Sequence, residues 1–410
     1  MEEKQAFKLI AECEKENVEA YQRIDEIAFY NQKKVLDAFR KRNVALRHFS
    51  GSSGYGYEDC GKHVLSAVFA DAFGAEAGLV SPLFASGTHA ISTVLFGLLR
   101  PGETVLSISG MPYDTLIPVL MGKGIGSLAE FGIKFNKVDL QKNGDFDIVA
   151  IQKFLLQKPK MVYIQRSRGY TWRNSFTVSQ IGQIVALVRR LSPQSIIVVD
   201  NCYGEFTECE EPISAGADVI VGSLIKNPGG GLAQTGGYVC GVKAYVDLIA
   251  NRLTAPGLGA DVGSYAYGYR TYFQGLFLAP HTTAQALKGA LLFQSVFSKL
   301  GYEVLPSKDS NGRDIICSIR FHSCDEMTKF CRAIQRASPI DSFATPEPSD
   351  MPGYADKVIM AAGTFVQGSS IELSADGPVR EPYIAHVQGG LIYPHIKIAV
   401  CECLQLFDIT

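Results

Sequence analysis

The sequence predicts an α/β protein: a mostly parallel, seven-stranded sheet in a large domain, followed by a smaller C-terminal α+β domain. Three observations predict it. Between about residues 60 and 280, short apolar runs alternate with helical patterns, as in parallel sheets covered by helices on both faces. Beyond that stretch the alternation gives way to one long helical pattern and then a different mixture of strands and helices. A chain of 410 residues is also too long for one small core.

In chain order, the first forty residues carry Leu9, Cys13, Ile24, Ala28, Val35 and Phe39 at helical spacing among many charges. So thin a stripe is marginal alone and calls for packing on the body of the protein or on a second subunit. A glycine- and tyrosine-rich loop, 51–57, follows. Strands are expected at 78–84, 103–108, 133–138, 161–165, 195–199, 219–221 and 237–239, with helices at 90–99, 148–156 and 178–191. In such sheets ligands sit beyond the carboxyl ends of the strands, which makes the residues just after each strand the ones to inspect. The C-terminal unit reads as a helix at 283–300, a strand at 314–321, a helix at 324–337, strands at 357–365 and 370–374, and a last helix at 396–406. A loop at 342–353 is broken by Pro346, Pro348 and Pro352. The divisions expected are an N-terminal helical arm and loop (1–59), a large domain (60–282) and a small domain (283–410).

Hydrophobic residues make up 47% and charged residues 20%, a globular rather than disordered balance. Lys and Arg total 39 against 41 acidic residues, a net charge of −2 that gives no reason to propose nucleic acid or a membrane surface as partner. The charged N-terminus lacks the apolar core of a signal peptide, and no apolar run is long enough to span a bilayer. A cytoplasmic location with reduced thiols is expected. The ten cysteines form no CxxC framework; Cys317, Cys324 and Cys331 recur every seven residues but straddle a strand and a helix, so core filling is expected and no metal site.

Four segments carry candidate chemistry. In 218–231 an apolar strand runs into Ser223, then Lys226, then three glycines. A lysine in a desolvated pocket has its ammonium form disfavoured and is available as a Schiff-base nucleophile; a surface lysine on a hairpin turn fits equally. The strand 195–199 ends in Asp200-Asn-Cys-Tyr203. A carboxylate there is costly unless it meets a cation, such as a protonated pyridine ring, although an aspartate capping the next turn reads the same way. In 83–91 a strand gives way to Ser86-Gly87-Thr88-His89 and an apolar helix. Free amides and hydroxyls at a helix start suit a phosphate, and plain N-capping by Ser86 or Thr88 is the alternative. Tyr113, after the strand 103–108, is placed to stack on a flat ring, and Tyr203 is near enough in sequence to Asp200 to reach the same ligand.

The order of these segments resembles the fold-type-I pyridoxal-phosphate enzymes, which have the aspartate-aminotransferase-like fold. By that resemblance Ser86, Gly87 and Thr88 form the phosphate loop, Tyr113 stacks on the ring and Asp200 pairs with its nitrogen. Tyr203 reaches the phenolic oxygen, Ser223 adds a phosphate contact and Lys226 is the Schiff-base lysine. SGTHAI, VVDNCYGEF, GSLIKNPGGG and SADGPVREPY are similar to the aluminium-resistance branch of the methionine gamma-lyase and cystathionine beta-lyase-like proteins. The resemblance implies pyridoxal 5'-phosphate as cofactor and carbon–sulfur lyase chemistry on a cystathionine- or methionine-type amino acid. It also implies a homodimer or homotetramer. An aminotransferase or decarboxylase on the same fold, or a non-catalytic cofactor-binding protein, are the alternatives; a nicotinamide enzyme is disfavoured because no GxGxxG follows the first strand.

The chain departs from the better-known lyases in three ways. Ile225 replaces the threonine before the lysine. The Tyr-x-Arg pair that clamps phosphate from a neighbour is replaced by Tyr55 and Tyr57 without arginine. The arginine for the substrate carboxylate is displaced. Arg380 is the expected holder and Tyr57 a further substrate contact. Arg166, Arg168 and Arg173 compete for the carboxylate role, and an ion pair of Arg380 with Glu381 or Asp376 is the bland alternative.

Overall fold

The computed structural model describes residues 1–307, 310, 314–351 and 354–406. Seven strands form the first sheet: β1 (Ala77–Ser81), β2 (Thr104–Ser107), β3 (Lys134–Lys137), β4 (Met161–Gln165), β5 (Ile196–Asp200), β6 (Val219–Ser223) and β7 (Gly237–Gly241). Their order is β1-β7-β6-β5-β4-β2-β3. The run from β3 to β6 is parallel, and β7 runs antiparallel between β6 and β1. The alternation of strand and helix thus yields a mostly parallel seven-stranded sheet, as expected. Side chains alternate between its two faces. Val162, Ile164, Ile197 and Val199 enter one core, whereas Met161, Tyr163, Ile196 and Val198 enter the other. Strands apolar at every position are therefore what this sheet requires.

Eleven helices lie among the described residues. Of these, α1 (Glu3–Glu16) and α2 (Val18–Lys41) form the arm, which breaks at Asn17 instead of running as one helix. Ala6, Ile10 and Cys13 of α1 enter the core of the second sheet, while Val35 and Ala38 of α2 enter that of the first. The thin apolar stripe is therefore satisfied on the body of its own chain. The first sheet is flanked by α3 (Cys60–Phe73), α4 (Gly87–Leu98), α5 (Ile117–Met121), α6 (Ile148–Leu155), α7 (Val178–Leu191) and α8 (Lys243–Leu253). The helix expected at 283–300 is the second half of α9 (Arg270–Lys299), which passes through Pro280. A proline reads as a helix break in sequence, which hides the first turns.

The second sheet has five antiparallel strands: β8 (Glu303–Leu305), β9 (Ile316–Arg320), β10 (Val358–Ala361), β11 (Ser374–Pro378) and β12 (Ile384–Gln388). Their order is β10-β11-β12-β9-β8, and α10 (Cys324–Arg336) and α11 (Tyr393–Leu406) pack against it. Two expectations need correcting here. The strand placed at 370–374 begins only at Ser374, and β8 and β12 were not foreseen. The sequence Ser-Ala-Asp-Gly-Pro of β11 lacks strand formers. Its Gly377 is required, because a Cβ there would lie 2.3 Å from the Ile384 carbonyl oxygen. In the proline-broken loop, 342–348 contain no regular element and Ser349 bridges Val358; Pro352 and Gly353 lie outside the described residues. Cys317 and Cys331 are buried as core filling, and Cys324 is half-buried. No helix among the described residues is long and apolar enough to cross a membrane.

Candidate active site

The carboxyl ends of β4, β5 and β6 open into a cavity of about 250 Å³ that the second sheet closes from the other side. Gly87, Thr88, Tyr113, Asp200, Tyr203, Ser223 and Lys226 all line it. Parallel register is what brings them together: Gln165 stands opposite Asp200, and Asp200 opposite Val221.

At the start of α4 the Ser86 side chain accepts a hydrogen bond from the His89 amide at 3.0 Å, so Ser86 is an N-cap and does not line the cavity. Gly87 faces Ser223 so closely that a Cβ would lie 3.1 Å from the serine Cβ. The α4 amino terminus and the β6 end therefore form one small cradle with two hydroxyls, those of Thr88 and Ser223. Thr88 Oγ1 lies 3.0 Å from Tyr113 Oη, and the Tyr113 amide donates to Gln165 Oε1 at 2.9 Å.

At the end of β5, Asp200 is buried. Its Oδ1 accepts from the Cys202 amide at 3.1 Å and its Oδ2 from the Tyr163 hydroxyl at 3.3 Å. Burial pushes Asp200 above the usual carboxylate range, with Lys226 opposing. The turn then passes through Tyr203 at φ +69°, a left-handed conformation uncommon for a residue of this size. It sets the tyrosine ring 3.9 Å from Lys226 Nζ. Asn227 secures the turn by donating to the carbonyls of Tyr203 at 3.1 Å and Glu205 at 2.9 Å.

Lys226 lines the cavity half-buried. Burial disfavours its ammonium form and the buried Asp200 carboxylate favours it, with the net direction upward from the ordinary value. Two of the glycines after Lys226 make room for neighbouring backbone. A Cβ on Gly229 would sit 1.7 Å from the Leu224 carbonyl oxygen, and one on Gly230 2.3 Å from that of Gly275 in α9. They admit backbone, not ligand.

The arginine candidates are placed away from the cavity. Arg380 is exposed and pairs with Asp356 at 2.7 Å, rather than with Glu381 or Asp376. Arg166 is enclosed by Glu208, Glu211, Asn201 and backbone carbonyls. Arg168 is fully buried against Asp314 at 3.5 Å, and Arg173 donates to the carbonyls of Gln165 and Ser167 at 2.9 and 2.6 Å. None of the four lines the cavity. Tyr57 is also exposed, stacked on Tyr55 with ring centroids 5.3 Å apart, outside the cavity of its own chain.

The far wall consists of residues the sequence reasoning passed over: Tyr170, Tyr354, Asp376, His386 and Gln388. His386 and Gln388 alternate along β12, a two-residue polar period that marks one strand face; the unforeseen strand concealed it.

This fold is that of the fold-type-I pyridoxal-phosphate enzymes. A pyridoxal-5'-phosphate-dependent protein from Escherichia coli, YhfS, shares it with a TM-score of 0.64 at 17% identity, covering 94% of this chain and 97% of that one. The chain belongs to the methionine gamma-lyase family, whose model matches residues 6–408; the family comprises pyridoxal-phosphate-dependent lyases. A crystal structure from Listeria monocytogenes, described as a candidate cystathionine beta-lyase involved in aluminium resistance, superposes with a TM-score of 0.95. Identity is 50% over 97% of this chain and 99% of that one. The uncharacterised Bacillus subtilis protein YnbB is 48% identical over 401 residues, 97% of this chain and 95% of its own length.

Proposed function

We propose that the protein is a pyridoxal-phosphate-dependent carbon–sulfur lyase acting on a sulfur amino acid of the cystathionine or methionine type. The observation that carries the reading is a buried carboxylate, Asp200, and a half-buried amine, Lys226, in one cavity beside a helix amino terminus. The donor set fits the cofactor. Asp200 supplies a negative partner for a protonated ring nitrogen, Tyr113 an aromatic face, and Lys226 the amine. Thr88, Ser223 and the first amides of α4 supply neutral donors for a phosphate.

When bound, pyridoxal phosphate supplies an electron sink for the pair left at the substrate's α-carbon. The chain's own residues do the rest. Lys226 is the only side-chain amine among the described residues that line the cavity, so it is the group to take the α-proton and to pass a proton to the sulfur as the carbon–sulfur bond breaks. Asp200 holds the ring-nitrogen proton in place, and the burial of Asp200 keeps water from competing for it. Enclosure by both sheets excludes solvent while the sulfur leaves from the β or γ carbon.

The same reading makes the protein a cytoplasmic homo-oligomer. The described residues put no arginine beside the phosphate cradle, and Tyr55 and Tyr57 lie exposed as a stacked pair. A second subunit presenting Tyr55 or Tyr57 to the cradle completes it. The test is to incubate cofactor-loaded protein with thioether amino acids and follow thiol, ammonia and 2-oxo acid together. Equimolar release of all three supports the lyase. A new amino acid without ammonia makes the protein an aminotransferase, carbon dioxide a decarboxylase, and no turnover on any amino acid a binding protein.

A further inference from the structure

The lyase reading leaves the far wall of the cavity without a task, and that wall is acidic. Among the described lining residues three carboxylates, Asp114, Asp200 and Asp376, share the cavity with one cation, Lys226. The cofactor role takes up Asp200 and Lys226, so Asp114 and Asp376 are left without a counter-charge. Asp376 has no ion pair among the described residues; Gln388 Nε2 donates to its Oδ2 at 3.4 Å and the Tyr170 hydroxyl supports it.

Asp376 on β11 and His386 on β12 are direct register partners, so their side chains stand together on one face of the sheet. His386 lines the site and is 2% exposed, and its Nε2 has no hydrogen-bond partner among the described residues. Its Nδ1 lies 2.8 Å from Ser318 Oγ, which already accepts from Arg168 Nη1 at 3.4 Å. The serine keeps its own proton to donate, and donation to Nδ1 is the arrangement that places the ring proton on Nε2. Burial, reinforced by Arg168, pushes His386 down to about 3, so the ring is neutral. The wall thus offers an acceptor and a neutral donor side by side.

We propose that Asp376 receives an ammonium group at the far end of the substrate's side chain while His386 Nε2 donates to a carboxylate beside it. The preferred substrate is then a thioether joining two amino-acid heads, and Asp376 is the residue that selects it. The proposal rests on the lyase reading, because it assumes that an amino acid enters on the cofactor side. A side chain ending in methyl would leave the Asp376 carboxylate without a counter-charge and the His386 N–H without an acceptor.

The experiment titrates cofactor-loaded protein with L-ornithine and L-norleucine, which differ by ammonium against methyl at the same position, and reads the visible spectrum of the bound cofactor. Wild type should bind ornithine at least about tenfold more tightly, and Asp376→Asn should bring the ratio to about one. A ratio near one in wild type, or a preference that survives Asp376→Asn, overturns the proposal. If the variant fails to fold, wild type alone decides through pH. Burial pushes Asp376 up to about 7, opposed by Tyr170, Lys226 and Gln388; Tyr354, Tyr203 and Cys331 also feel its charge. The ornithine preference must therefore shrink as pH falls through 7, and a ratio that holds constant overturns the proposal. Equal binding of both ligands with thioether cleavage intact refutes this inference alone. A spectrum that no amino acid moves refutes the lyase reading and this inference with it.

Discussion

Arg166 was a sequence candidate for the substrate carboxylate, and its surroundings predict a different behaviour when it is replaced. Its Nη2 meets Glu208 at 2.6 Å and its Nη1 meets Asn201 at 2.8 Å, the Gly204 carbonyl at 2.9 Å and Glu211 at 3.6 Å. These contacts hold the turn that carries Asp200 and Tyr203. Arg166→Met keeps the volume of the stem but leaves Glu211, 2% exposed, without its cation. Removing one partner of a buried pair costs about 3–5 kcal/mol. An unfolding entropy of about 2.1 cal/mol/K per residue over this chain then gives a fall in Tm of roughly 3–6 °C if the chain unfolds as one unit. The pH dependence provides a second signature. Burial raises Glu211 and Arg166 lowers it, so the variant raises it further. A carboxyl whose folded value lies above its unfolded one binds more protons when folded, and its destabilising effect fades as pH falls. The calorimetric deficit of Arg166→Met should therefore narrow as pH falls. A variant with unchanged Tm that loses affinity for the substrate carboxylate would refute this account and return Arg166 to substrate binding.

Three further outcomes follow from the same geometry. Burial pushes Glu205 from 4.5 up to about 8, so the folded protein loses about 1.4 kcal/mol per pH unit between those two values, and the loss levels off above about 8. Glu205→Gln retains an acceptor for the Tyr238 hydroxyl, now 2.8 Å from Glu205, and its Tm should rise relative to wild type as pH climbs toward about 8 and then hold; a difference that stays constant below about 8 counts against the assignment. Lys226→Ala should abolish turnover while phosphate-anchored cofactor still binds, and borohydride reduction should fix the cofactor of wild type on Lys226; a label on any other lysine sinks the site. Asp200→Asn preserves shape and removes the charge, so turnover should fall by at least about a hundredfold, and near-normal rates would rule out the electron-sink partnership.

The wall that carries Asp200 and Lys226 was legible in the sequence, and the opposite wall was not, for one physical reason. Gly87, Thr88, Tyr113, Asp200, Tyr203, Ser223 and Lys226 lie at or just beyond the ends of apolar runs, and parallel strands aligned in register turn such sequence positions into neighbours in space. The opposite wall is assembled from β11 and β12, whose pairing depends on contacts between segments with weak strand propensity and on glycines that admit a neighbouring backbone. Period alone does not report such pairing. The same gap explains the arginines. A guanidinium after a strand suggests an anion partner, but Arg166, Arg168 and Arg173 find theirs in Glu208, Asp314 and backbone carbonyls that the chain brings in from 42, 146 and 8 residues away. With those three committed to structure and Arg380 held at the surface by Asp356, the described cavity offers a substrate no guanidinium of its own. What the chain offers a substrate's side chain instead is a carboxylate and a neutral imidazole, and that combination suits a second amino-acid head better than a plain alkyl end.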